Sequence, residues 1–72
     1  MEIEHLRRFV HKQPFEPFII RLSDGRAMRV RHPEFIATSP SLVVVIGEDG
    51  YGTSNIDPFL IVSVDYEGQQ AA

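Results

Sequence analysis

Residues 18–31 read Phe18-Ile19-Ile20-Arg21-Leu22-Ser23-Asp24-Gly25-Arg26-Ala27-Met28-Arg29-Val30-Arg31, and the reading of this stretch decides the fold. Apolar and charged residues alternate on both sides of a Ser-Asp-Gly turn, the pattern of an antiparallel hairpin with one face on a core. Loop length sets the register. A two-residue Asp24-Gly25 loop places Ile20 opposite Arg29 and mixes apolar with charged side chains. A three-residue loop, with Gly25 left-handed in a bulge, sets Leu22 opposite Arg26, Ile20 opposite Met28 and Phe18 opposite Val30. That arrangement gathers the apolar side chains and is the expected one.

Toward the N-terminus, residues 2–12 read as a helix with Ile3, Leu6 and Val10 on one stripe, Phe9 at its flank and Glu4, Arg7, Arg8 and Lys12 outward. Pro14 stops it, and Pro14-Phe15-Glu16-Pro17 is an extended bridge. Toward the C-terminus, Pro33 ends the second strand and Phe35 to Thr38 reads as a short third one. Leu42 to Ile46 is apolar at every position, so it is a strand covered on both faces or meeting a partner with its outer face. Glu48-Asp49-Gly50 repeats the chemistry of the first turn. A second three-residue loop would pair Ile46 with Gly52, Val44 with Ser54 and Leu42 with Ile56. Asp57 and Pro58 read as a cap and first-turn position, and Leu60, Val62 and Val64 alternate with Ile61, Ser63 and Asp65 in a last strand. The expected architecture is one mainly β domain over residues 1–67: an N-terminal helix and a small five-stranded antiparallel barrel, Sm-like or SH3-like in outline. Residues 68–72 are expected to be a disordered tail.

Composition narrows the functional classes. A chain of 72 residues buries roughly 60% of the surface its unfolded form exposes, so stability must come from an efficient core or from a second copy. There is no cysteine, which excludes disulfides and thiolate metal sites. The acidic start Met1-Glu2-Ile3-Glu4 lacks the basic region of a signal peptide, and no apolar run is long enough to span a bilayer, so the expectation is cytoplasmic. A net charge of −3 disfavours non-specific attraction to polyanions.

The strings Pro14-Phe15-Glu16-Pro17-Phe18, Leu22-Ser23-Asp24-Gly25-Arg26 and Val30-Arg31-His32-Pro33-Glu34-Phe35 resemble those of a group of small bacterial proteins to which no activity is assigned. The order helix, strand, Asp-Gly turn, strand, hairpin, short turn and final strand is similar to the Sm-like family of RNA-binding barrels. That resemblance implies rings formed by edge-strand pairing, and RNA as a partner. The chain departs from the Sm-like pattern in two places: Arg26 to His32 lacks the glycine at which the second strand bends, and Asn55-Ile56-Asp57-Pro58-Phe59 stands where bacterial members carry a basic tract.

The candidate site residues fall into two groups. On the expected register Arg21, Arg29 and Arg31 point away from the core, and Tyr51 sits beside the second hairpin tip as a stacking platform; together they form a candidate nucleic-acid face. The alternative is a solvated face whose arginines pair with Glu16, Glu34 or Asp65, which the acidic net charge favours. Val43, Val45 and Ile61 fall on the expected outer face and suggest a surface buried between copies of the chain. Catalytic residues, metal ligands and cofactors are not expected. His5 and His11 are six apart and lie on different helical faces, the serines lack a nucleophile-elbow context, and Gly47, Gly50 and Gly52 precede no helix. The expected role is therefore a non-enzymatic interaction or oligomerisation module, with an Sm-like RNA binder as the alternative.

Overall fold

The computed structural model describes residues 1–68, so most of the expected tail lies outside the described residues. The helix α1 covers Ile3–Val10, shorter than expected at both ends, and it closes when the His11 N–H donates to the Arg7 carbonyl at 2.9 Å. Six strands follow: β1 Phe18–Leu22, β2 Ala27–Val30, β3 Ile36–Thr38, β4 Val43–Ile46, β5 Thr53–Ile56 and β6 Ile61–Tyr66. They form two three-stranded antiparallel sheets, ordered β2-β1-β6 and β3-β4-β5, and no closed barrel is found among the described residues.

The break at Pro33 and the short third strand are as expected, but the strands number six and lie in two sheets, not in one five-stranded barrel. Pro33 has no N–H to give to a ladder, and Pro33–Phe35 forms a 3-10 turn instead. The chain leaves the first sheet after Val30 and enters the second at Ile36. A proline corner thus does the bending that a glycine would otherwise allow.

The first hairpin has the expected register: Phe18 opposite Val30 and Ile20 opposite Met28. The Leu22 N–H donates to the Arg26 carbonyl at 2.8 Å, and Gly25 has φ +92°. The second hairpin is one residue longer than expected. Gly47 closes on Gly52, its N–H reaching the Gly52 carbonyl at 2.7 Å, so the loop is Glu48-Asp49-Gly50-Tyr51. Within it the Asp-Gly chemistry is the same as in the first. Asp49 Oδ1 accepts from the Tyr51 N–H at 2.9 Å, as Asp24 Oδ1 does from Arg26 at 3.0 Å, and Gly50 has φ +80°.

The extra residue shifts the pairing by one, to Val43 opposite Ile56 and Val45 opposite Ser54. A shift of one residue exchanges the two faces of a strand. Val43 and Val45 therefore lie in the core, while Val44 and Ile46 are half-buried.

Every element contributes to one interior: Leu6 of α1, Phe18, Ile20 and Leu22 of β1, Val30, Ile36, Val43, Val45, Ile56 and Ile61. Phe9 meets Phe18 edge-on with ring centres 5.6 Å apart and Tyr66 at 4.8 Å, which docks the helix against β1 and β6. Both sheets are thus joined through side chains and two turns, without a shared backbone ladder. Among the described residues no helix is long and apolar enough to cross a membrane.

Candidate interaction surfaces

The arginine face is built by alternation along β1 and β2, and its charges are largely spoken for. Arg21 Nε donates to Asp65 Oδ2 at 3.1 Å across the β1–β6 pair. Arg29 lies between two carboxylates, Glu48 Oε1 and Glu67 Oε1, each at 3.1 Å. Arg26 holds Asp24 at 2.8 Å beside the turn. Arg31 is exposed and makes no ion pair among the described residues. Tyr51, 91% exposed, sits within the second loop. These half-exposed pairs each contribute about 0–1 kcal/mol to stability. Their larger effect is to cancel the positive field that a phosphate backbone would need.

Val43, Val45 and Ile61 do not form an outer surface; all three are buried in the core. The longer second loop turns Val43 and Val45 inward. Ile61 is turned in by a bulge in β6, where Arg21 pairs with Ser63 but Leu22 pairs with Ile61, leaving Val62 without an opposite residue. Val62 is 61% exposed as a result.

Just before that bulge, Asp57 Oδ1 accepts from the Phe59 N–H at 2.9 Å, and Pro58–Leu60 forms a 3-10 turn with Pro58 buried. The turn is tied down on two sides. The Met1 ammonium donates to the Pro58 carbonyl at 3.1 Å, and the Ser23 N–H donates to the Leu60 carbonyl at 2.8 Å. Phe59 is held in this frame with 89% of its surface in solvent. Its exposure is a property of an anchored turn and not of a loose loop. By residue type Phe59, like Phe15, Phe18 and Phe35, is expected in the core, and the structure places it outside. The signal against that was Asp57-Pro58, which starts a turn at the very residue that would otherwise continue an alternation.

A second feature is an open groove of about 450 Å³ between β2 and the β4–β5 hairpin, lined by Ile19, Ala27, Met28, Arg29, Val45, Gly47, Glu48 and Ser54. The three histidines are all exposed, and no cluster of three or more His, Asp or Glu is placed to hold a metal ion among the described residues. No protein-family model matches the chain, and neither do any curated protein or solved structure.

Proposed function

We propose that the chain is a non-enzymatic interaction module that associates with copies of itself through the segment Phe59 to Val62 and the adjoining free edge of β6. The observation that carries this reading is the anchored exposure of Phe59 and Leu60 in the 3-10 turn and of Val62 in β6, a strand that pairs with β1 alone. Together these side chains expose roughly 300 Å², the size of the largest apolar patch on a typical monomer, which is often functional. A stable interface needs about 1,200 Å² in total, so strand pairing along β6 and the apolar outer face of Leu42, Val44 and Ile46 would supply the rest. In this reading the two sheets are halves of a small barrel whose second strand is interrupted at His32-Pro33. An arginine-face RNA binder draws less support, because Arg21 and Arg29 are committed to carboxylates. Size-exclusion chromatography with light scattering tests the proposal. The expected result is an oligomer that Phe59→Asp converts to a monomer with an unchanged circular dichroism spectrum. A monodisperse native monomer at tens of micromolar would end it.

A further inference from the structure

The groove between β2 and the β4–β5 hairpin combines an apolar floor, a free strand edge and an acidic rim. Met28 and Val45 supply the floor, and Ile19 lines the groove from the Arg29-bearing face of the sheet. The Leu22–Arg26 bond sets the antiparallel alternation, so Met28 and Val30 turn their backbone groups to β1 while Ala27 and Arg29 turn theirs away. Both of the latter line the groove, and β2 has no other strand beside it. Ala27 carries only a methyl group, which leaves that edge open to a second backbone.

The rim is charged unevenly. Glu48 and Glu67 share the single guanidinium of Arg29. Asp49, on the adjoining surface, is held ionised by the backbone N–H groups of Tyr51 and Gly52 and makes no ion pair among the described residues. The two carboxylates outnumber the one guanidinium between them, so the rim is net acidic and repels an acidic strand.

We infer that this groove receives an extended segment of a partner protein in which Lys or Arg alternates with apolar residues, added as a strand to the edge of β2. Its backbone pairs with Ala27 and Arg29, its apolar side chains extend the Met28 face of the sheet, and its cations, on the Ile19–Arg29 face, take up Glu48 and Glu67. The groove does not include Phe59 to Val62, and peptide binding to it is read separately from self-association.

A fluorescein-labelled Val-Lys-Val-Arg-Val peptide, with Val-Glu-Val-Asp-Val as its counterpart, tests this on the intact protein by anisotropy and amide NMR. The basic peptide should bind saturably, shift the amides of Ala27, Arg29 and Gly47, and weaken about tenfold with E48Q/E67Q, the loss expected when charge pairing sets the affinity. Ala27→Pro removes an edge donor but keeps the carboxylates; it too should weaken binding, its fold being checked by circular dichroism. Absent binding, equal affinity for both peptides, shifts elsewhere, or unchanged binding by E48Q/E67Q would overturn the inference. Displacement of the peptide by unlabelled protein would make a second copy the occupant and would overturn it equally.

Discussion

Val43→Thr and Val44→Thr form a matched pair that reads the facing of β4 directly. Each trades a methyl for a hydroxyl of similar size and keeps the β-branch, so propensity and volume barely change. Val43 has no exposed surface and packs in the aliphatic interior, whereas Val44 is half-buried beside Ala37 and Asn55. Burying an unpaired hydroxyl costs about 1–3 kcal/mol, and a partly solvated one stays below about 0.5 kcal/mol. With a urea dependence of about 1 kcal/mol per molar for so small a domain, the midpoint should fall about 2 M for Val43→Thr and less than about 0.5 M for Val44→Thr. Urea titrations followed by circular dichroism at one protein concentration give both numbers. The reverse order is what a three-residue loop at Glu48-Asp49-Gly50 would require, with Val44 inward. Either that order or two equal shifts would refute the face assignment.

Two further outcomes follow from the turns. Gly50→Ala should cost about 1–2 kcal/mol in thermal or urea unfolding, because its φ of +80° is strained for any side chain although there is space for a Cβ. Gly52→Ala, with ordinary φ and equal space, should be nearly silent. Asp24 and Asp49 are held below the usual carboxylate value, first by the Arg26 and Tyr51 backbone N–H groups respectively. The unfolded chain therefore takes up protons at higher pH than the folded one. Their contribution is fully present above the ordinary value of 3.8 and is lost as pH falls below it toward the folded values. Melting curves in that acid range should show a shallower decline for Asp24→Asn/Asp49→Asn, and an unchanged slope would contradict it.

The two hairpins differ in how much the residues themselves disclose. In the first, charged residues alternate with apolar ones on both strands, so only one register keeps Arg29 off the face of Ile20, and the structure has that register. In the second, Leu42 to Ile46 is apolar throughout; either register buries valines, and the pattern carries no information about which. The loop length then depends on whether Gly47 and Gly52 close the turn, a choice made by backbone geometry. The same limit applies at β6, where a bulge exchanges Ile61 and Val62 without any polar residue to mark it. The arginines pointed outward as their alternation required. Arg21 pairs with Asp65, one of the expected partners, whereas those of Arg29 were harder to foresee, because Glu48 and Glu67 reach it from segments 19 and 38 residues away in the chain. The helix, the proline corner and the Asp57 cap were legible because each rests on local chemistry.

The pairing of β1 with β6 joins Phe18 to Tyr66 and Leu22 to Ile61, strands that the ribosome makes early and late. Until β6 emerges, β1 has β2 on one side and an open edge on the other, with Phe18 and Ile20 lacking the side chains that finally cover them. The β3-β4-β5 sheet, by contrast, is a run of neighbours in the chain and can pair as it is made. During synthesis the molecule is therefore an unfinished sheet followed by a finished one. Its most vulnerable moment is the wait for six residues to close over a strand made some forty residues before them.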